Sequence, residues 1–357
     1  MGDFARVRTD GSAQWDSPGV FRVAEDVFRI PLPLPQDGLR AVNVYVLADD
    51  GGLTLIDSGW DIPEARDRLR WGIERIGSAM TDIRSVVVTH FHRDHYELAL
   101  GIRREFGAHV ALGAGERPAV ELMVHDQVKP LGPQADYLAV LGARALGDRV
   151  VERGIRDGLG ALLHEAPDSW IGDRQQMGTR RSLLALATPG HTRGHVVFHD
   201  EMASLLFTGD HVLPDITPSI GFEAILSENP LGDFMASLKL IRSRPDAALL
   251  PAHGPVTDSV HRRVEELLAH HERRLDQTEA ALLEGARTGL EVATRLKWRK
   301  SERPFAELDD FDQMLAVSET GAHAQLLVAL GRADAEMHAG TIHYSPRRGD
   351  SPVPAEV

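Results

Sequence analysis

The apolar run Ile83, Val86, Val87 and Val88 leads straight into Thr89-His90-Phe91-His92-Arg93-Asp94-His95. Short runs rich in Val and Ile read as buried strands, so the polar cluster begins where a strand ends. His90 and His92 are two apart, which lets both rings face the same side of an extended segment. Asp94 and His95 follow where the chain can turn into the amphipathic run Leu98, Ile102 and Phe106. A carboxylate and three imidazoles brought this close are costly unless something positive binds between them. Imidazole nitrogen and carboxylate oxygen suit zinc, iron or manganese, and the stretch reads as a metal site.

Composition narrows the ligand chemistry. The chain has no cysteine, so disulfides, thiolate nucleophiles and thiolate metal ligands are excluded and every ligand must be His, Asp or Glu. A length of 357 residues suggests about two domains, or one large domain with an appendage. With 43% hydrophobic and 26% charged residues the chain can build a core. A formal charge of −14 argues against broad electrostatic binding to nucleic acid or anionic membrane. The segment Met1 to Ser17 lacks the apolar core of a signal peptide, and no apolar run approaches the roughly 18 residues needed to cross a bilayer. The expectation is a soluble, cytoplasmic protein.

Along the chain, Val20 to Ile30, Ala41 to Ala48 and Leu53 to Ile56 read as strands separated by the turn signals Pro31 to Pro35 and Asp49 to Gly52. A helix follows, with Ile62, Ala65, Leu69, Ile73 and Ile76 at helical spacing and Pro63 in its first turn. After the Val86 strand comes a helix ending near Gly107, then a short strand from Ala108 to Leu112. Residues 116–177 break this alternation with a long helical pattern, an insertion of the kind that walls or lids an active site or simply packs. Strands resume at Ser182 to Ala187, His195 to His199, Leu205 to Phe207 and Ala247 to Leu250, with a helix through Leu231, Phe234, Leu238 and Ile241 before the last. From Asp258 the chain is strongly helical. Val292 to Leu296, Phe311 to Val317 and Ala324 to Leu330 suggest three short tail helices, and Glu336 to Tyr344, with Gly340, a hairpin.

Three later motifs share the character of the first. They are Thr188-Pro189-Gly190-His191-Thr192-Arg193-Gly194-His195, Phe207-Thr208-Gly209-Asp210-His211 and Pro251-Ala252-His253-Gly254-Pro255, each at an expected strand end. In this order the motifs resemble those of the metallo-β-lactamase-fold hydrolase superfamily, over about residues 20 to 255. The resemblance implies a four-layer αββα sandwich with metals at one edge between the two sheets. Carried over by position, His90, His92 and His191 match the ligands of a first metal. Asp94, His95 and His253 match those of a second, and Asp210 matches the aspartate that bridges both. Asp57 matches an aspartate that orients ligands, and His195 is placed behind the ligands because His191 fills the Gly-His-Thr position. Glu97, where many relatives have glycine, and Ala252, in place of the glycine of Pro-Gly-His-Gly, depart from the pattern outside the ligand positions. The tail, with Ser318-Glu319-Thr320-Gly321-Ala322-His323 and a wing near Tyr344, resembles the winged-helix appendage of one branch. The expected organisation is a catalytic domain over 18–257, with its helical insertion at about 116–177, and a helical linker with a small winged-helix-like C-terminal domain over 258–350.

Two divalent ions about 3.5–4 Å apart can hold a water between them, lower its pKa towards neutrality and polarise a carbonyl. The donor set favours zinc, and iron or manganese would fit it too. Asp94 and Asp210 are the catalytic candidates, Asp94 as a proton carrier and Asp210 as the bridge. The expected partner is a small-molecule acyl substrate (a thioester, lactone or other activated ester), with a second copy of the chain in a homodimer left open, and neither nucleic acid nor membrane. The alternatives are an endoribonuclease of the winged-helix-tailed branch, disfavoured by the acidic charge, and a di-iron redox protein, whose relatives carry glutamate where this chain has His92. A binding protein without catalysis would lack a ligand, and none is missing. A secreted β-lactamase would carry an export signal. Tyr96 and His211, adjacent to ligands, are candidate hydrogen-bond donors to substrate. His261, His270 and His271 read as solvated positions on a charged helix, Arg273-Arg274 and Arg347-Arg348 as surface patches, and His109, His125 and His164 have no ligand context.

Overall fold

In the segment 41–49 nearly every residue is apolar, which suits a strand covered on both faces. The computed structural model describes residues 15–34, 38–49, 51–125, 128–156, 165–177, 181, 183–299 and 301–347. Its first strands are β1 (Phe21–Ala24), β2 (Val27–Pro33), β3 (Ala41–Asp49) and β4 (Gly52–Ile56). The single strand expected over Val20 to Ile30 is thus two, because Asp26 takes a left-handed conformation (φ 56°) and turns the chain back on itself. Pro31 and Pro33, expected as turn residues, lie inside β2, opposite Asn43 and Ala41. The pairing of β1 stops at Arg29, so the prolines sit where β2 has a neighbour on one side only.

Then come α1 (Pro63–Arg75), β5 (Ile83–Val88), α2 (Arg93–Phe106) and β6 (His109–Gly113). Gly107 ends α2 in the left-handed conformation that caps helices. The insertion holds α3 (Arg117–His125), α4 (Gly132–Val140) and α5 (Arg144–Arg156), but its last part is β7 (Ser169–Ile171) and β8 (Gln175–Met177) rather than helix. These strands are three residues each, too short to impose a period on the sequence. The chain continues through β9 (Leu183–Ala187), β10 (Val196–Asp200), β11 (Leu205–Gly209), α6 (Pro230–Arg242), β12 (Ala248–Pro251) and α7 (Val260–Leu283).

One sheet has the strand order β1-β2-β3-β4-β5-β6-β7, the other β12-β11-β10-β9-β8. Tyr45, Leu47, Ile56 and Val87 of the first sheet pack with Ala185, Phe198, Phe207 and Leu250 of the second. The alternate residues Val44, Val46, Leu55, Val86 and Val88 pack instead on Leu69 and Ile73 of α1 and Leu98 and Ile102 of α2. On the outer face of the second sheet Val197, Leu206 and Leu249 are buried, as are Leu238 and Ile241 of α6 and Val260 and Val264 of α7. This is the expected αββα sandwich.

Chain contacts divide the described residues into two compact units. One takes residues within 1–126, 162–218 and 236–266; the other takes 127–161, 219–235 and 267–357, so part of the insertion clusters with the C-terminal segment. The second unit contains α8 (Gly289–Arg295), a small β13 (Lys297–Trp298) and β14 (Arg303–Pro304) pair, α9 (Asp310–Ala329), β15 (Ala333–His338) and β16 (Thr341–Pro346). The two helices expected at Phe311 to Val317 and Ala324 to Leu330 are one, because Gly321 is carried inside α9. There a Cβ would come within 2.7 Å of the Tyr137 hydroxyl, so close packing explains that glycine better than a break. The hairpin turns at Ala339 and Gly340, both with positive φ. No helix among the described residues is long and apolar enough to cross a membrane.

Candidate metal centre

Five strands of the sandwich deliver the site residues from their C-terminal ends. Asp57 follows β4, His90 and His92 follow β5, the segment 188–195 follows β9, Asp210 follows β11 and His253 lies two residues past β12. Extended backbone at His92 (φ −108°, ψ 156°) caps α2, so Asp94 and His95 fall in the first helical turn. A carboxylate there is favoured by the unpaired N–H groups of the helix start.

All seven expected ligands come together. His90, His92 and His191 form one group, Asp94, His95 and His253 another, and His90, His95 and Asp210 a third that joins them. In the first group His92 Nδ1 lies 2.9 Å from His90 Nε2 and 3.2 Å from His191 Nε2. In the second, His253 Nε2 is 3.3 Å and His95 Nε2 3.5 Å from Asp94 Oδ2. Asp210 stands between them: Oδ2 is 3.7 Å from His191 Nε2, while Oδ1 is 3.4 Å from His253 Nε2 and 3.7 Å from His95 Nε2.

Hydrogen bonds behind the rings set which nitrogen faces inward. His253 Nδ1 donates to the Ala41 carbonyl (2.8 Å), which turns Nε2 towards Asp94 and Asp210. His95 Nδ1 lies 3.0 Å from Asp57 Oδ2. Asp57 also accepts from the Thr89 backbone N–H (2.8 Å) and hydroxyl (3.0 Å), and does so from a left-handed conformation (φ 61°) that a non-glycine residue rarely adopts. His95 Nε2, His253 Nε2 and Asp210 Oδ1 are buried with no hydrogen-bond partner among the described residues. Buried polar atoms aimed at one another, with His253 held from behind by the Ala41 carbonyl and His95 set beside Asp57, are what a cation needs. The His/Asp clusters therefore fit a divalent metal ion.

Without a cation these groups balance one another. Burial alone would lower His95, but Asp94, Asp57 and Asp210 together outweigh it and raise it to about 10. Burial likewise opposes charge on His253, and Asp210 and Asp94 reverse that and raise it. For Asp94, burial raises the carboxyl and the neighbouring His95 and His253 more than compensate, holding it below its ordinary range. Burial lowers His92 to about 3 and His90 well below its ordinary value, reinforced by the surrounding imidazoles.

His195 lies behind Asp210. Its Nε2 accepts from the Asp210 backbone N–H (3.2 Å) and its Nδ1 faces the Thr188 hydroxyl (2.9 Å). Gly209 leaves room for this: a Cβ there would meet Thr89 Oγ1 at 2.6 Å and His195 Nε2 at 2.8 Å. The two departures from the family pattern are also accounted for. Glu97 accepts from Arg93 Nε (3.0 Å) and the Asp61 N–H (3.1 Å), tying α2 to the loop after β4. Ala252 is absent from the residues with positive φ, so a Cβ is tolerated, and its N–H and carbonyl bond to Gly209 and Asn43.

Several expectations are corrected. Tyr96 is fully buried and gives its hydroxyl to the Glu165 carbonyl (2.9 Å), so it is not a substrate donor. His211 is buried as well, and burial lowers it to about 3. His271 and Arg274, read as exposed, are buried on α7. His164 and the side chain of His125 lie outside the described residues.

Four supporting residues went unrecognised in the sequence. Asn43 donates to the carbonyls of Pro251 and Gly254 (2.9 Å each), and Tyr45 donates to Pro251 (2.9 Å), fixing the loop that carries His253. Buried Arg29 holds Asn43 Oδ1 at 2.7 Å. Glu116 accepts from the Thr192 hydroxyl (2.5 Å) and the Phe91 N–H (3.3 Å), joining the two histidine loops, and burial raises its carboxyl to about 7. The only signal for Arg29 and Asn43 was a polar residue within an apolar strand; Glu116 had none.

Comparison with known proteins agrees with this geometry. The chain is 23% identical over 337 residues to the probable metallo-hydrolase YqjP of Bacillus subtilis, an alignment covering 90% of this chain and 98% of that one. A hydroxyacylglutathione hydrolase of Bartonella quintana is 29% identical over 129 residues, covering 36% of this chain and 49% of its own. Among solved structures, the metallo-beta-lactamase family protein TTHA1429 of Thermus thermophilus superposes with a TM-score of 0.73 at 27% identity, covering 91% of this chain and 100% of that one. A beta-lactamase domain protein of Burkholderia ambifaria gives a TM-score of 0.77 at 26% identity over 92% and 94% of the two chains. Residues 37–253 match the sequence profile of the Metallo-beta-lactamase superfamily. With that match over more than half its length, and the His/Asp clusters where the sheets end, the chain belongs to the metallo-beta-lactamase superfamily.

Proposed function

We propose that this protein is a dinuclear metal-dependent hydrolase of thioesters, lactones or other activated esters. The observation that carries the reading is Asp210, whose two carboxylate oxygens face different ligand groups, Oδ2 towards His191 and Oδ1 towards His95 and His253. His90, His92 and His191 would hold one divalent ion and Asp94, His95 and His253 the other, with zinc favoured by the all-nitrogen-and-oxygen donor set. When bound, such ions activate water and polarise a carbonyl near neutral pH. The residues themselves hold and orient: Asp57 aims His95, Ala41 aims His253, and His195 fixes the backbone of Asp210. Asp94 is the proposed proton carrier to the leaving group, placed 3.3 Å from His253 and 3.5 Å from His95.

The acyl class rests on the chain's negative charge and on the hydroxyacylglutathione hydrolase relative, itself named for a thioester substrate. A small-molecule acyl substrate is therefore the proposed partner, in a cytoplasmic setting. The segment α8–α9–β15–β16 is proposed to be a winged-helix-like unit on the strength of its helix–helix–hairpin order. The test is a panel of acyl thioesters, lactones, aryl esters and single-stranded RNA, assayed with the zinc-loaded protein and His92→Ala. Ester or thioester turnover that His92→Ala abolishes is expected. RNA cleavage lost in the same variant and unmatched by any ester would reverse the assignment.

A further inference from the structure

A second cluster of ligating side chains lies in the other compact unit, on α7 and α9. His270, His271 and Glu319 each offer one donor atom, and these atoms lie within 4.8 Å of one another. All three residues belong to the unit built from 127–161, 219–235 and 267–357. Helical spacing places Glu319 and His323 four apart, on one face of α9.

The hydrogen bonds around this cluster determine where its protons are. His323 Nδ1 lies 2.7 Å from the Glu319 carbonyl, which can only accept, so Nδ1 carries the proton and Nε2 of the neutral ring is bare. His271 Nδ1 lies 3.2 Å from that bare nitrogen and must therefore carry its own proton. This leaves the lone pair of the neutral His271 ring on Nε2, which is buried with no hydrogen-bond partner among the described residues. Burial lowers both His271 and His323, in keeping with neutral rings. A fully buried imidazole with one nitrogen hydrogen-bonded and the other bare is the arrangement metal-ligating histidines take.

Arg274 acts on the Glu319 carboxylate only through space and, among the described residues, does not form an ion pair with it. Arg274 is the nearby cation, but its guanidinium is directed at the Lys297 carbonyl (3.0 Å), Gln277 Oε1 (3.2 Å) and the face of Trp298 (4.0 Å). Burial raises the Glu319 carboxyl, so an unoccupied cluster disfavours its charge, which a bound cation would restore.

We propose that His270, His271 and Glu319 bind one divalent transition-metal ion of the zinc type, with two imidazole nitrogens and a carboxylate oxygen, clamping α7 to α9. This site is independent of the hydrolase reading. The ion's role there is structural, because three side chains from two helices are joined only when it is bound.

The test uses the full-length chain in the background His92→Ala/Asp94→Ala/Asp210→Ala, which removes ligands from both groups of the centre between the sheets. Metal-depleted protein is titrated with Co2+, followed by its visible absorption, and with Zn2+, followed by the thermal midpoint. About one equivalent should still bind and raise the midpoint, and adding His270→Ala or Glu319→Gln should abolish both effects. His270 is partly exposed, so its replacement should be tolerated by the fold. In the otherwise unaltered chain, His270→Ala should lower zinc content by about one equivalent, which covers the case of a background that does not fold. No uptake in a folded background, or uptake indifferent to both variants, overturns the site.

Discussion

At the scale of single residues, Asp210 and His195 differ in what they touch, although both are buried beside the same histidines. Asp210 presents oxygens to both ligand groups, whereas His195 contacts the backbone N–H of Asp210 and the Thr188 hydroxyl. Removing the carboxylate takes away charge that two cations would share. Asp210→Ala is expected to lose one of two metal equivalents and nearly all hydrolysis, and Asp210→Asn, which keeps the shape, to weaken metal retention as well. His195→Ala should keep its metal and lose about 10–100-fold in activity at most, the range of changes behind a ligand. Metal content and turnover of the three variants, measured side by side, decide the matter. If His195→Ala loses metal while Asp210→Ala retains it, the ligand assignment is wrong.

Elements place these residues through close backbone packing. The end of β6 with the turn after it and the loop carrying His191 touch without side chains between them: a Cβ on Gly113 would lie 2.0 Å from the Gly194 carbonyl oxygen, and one on Gly194 would lie 2.0 Å from the Glu116 backbone nitrogen. Neither clash can be relieved by rotating a side chain. Gly194→Ala should therefore force the His191 loop away from Glu116, costing roughly 1–3 kcal/mol of stability and weakening metal retention. Gly51→Ala, where a Cβ would meet nothing within 4 Å, serves as the control and should alter neither. Thermal melts with and without zinc test this; equal behaviour of the two variants would show that the loop contact does not position His191.

Across the whole centre, the protonation balance predicts a pH response that metal should abolish. His95 is raised to about 10 in the cation-free chain, with Asp94, Asp57 and Asp210 overcoming the effect of burial, and His253 is raised for the same reason. A histidine raised above its ordinary 6.5 contributes stability that is complete below that pH and is lost as pH rises through the folded value. His90 and His92 are lowered, so their contribution changes in the opposite sense, on the acid side of 6.5. Chelator-treated protein should thus lose thermal stability between about pH 6.5 and 10, while zinc-loaded protein stays nearly level over that window. Loading at neutral pH should also release protons, detectable as a buffer-dependent heat in calorimetry. A flat profile for the chelated chain would contradict the balance described for Asp94, His95 and His253.

The sequence by itself determined most strands of the sandwich, though not β7, β8 or the break between β1 and β2, and it determined the order of the four motifs whose His and Asp residues come together in the candidate centre. Strands covered on both faces leave long apolar runs, and ligands placed just past their ends leave polar clusters that no packing requirement would produce. What it did not determine were features made by residues distant in the chain. Arg29 and Asn43 became supports of the His253 loop only when β2 and β3 were brought beside Pro251 and Gly254. Glu116 joins Phe91 to Thr192 across a separation of 76 residues from the latter, with no pattern to announce it. His271 looked solvated because its neighbours on α7 are charged, yet α9 covers it and His323 takes its hydrogen bond. Burial of a polar group depends on which element lies over it, and that is a property of the tertiary structure.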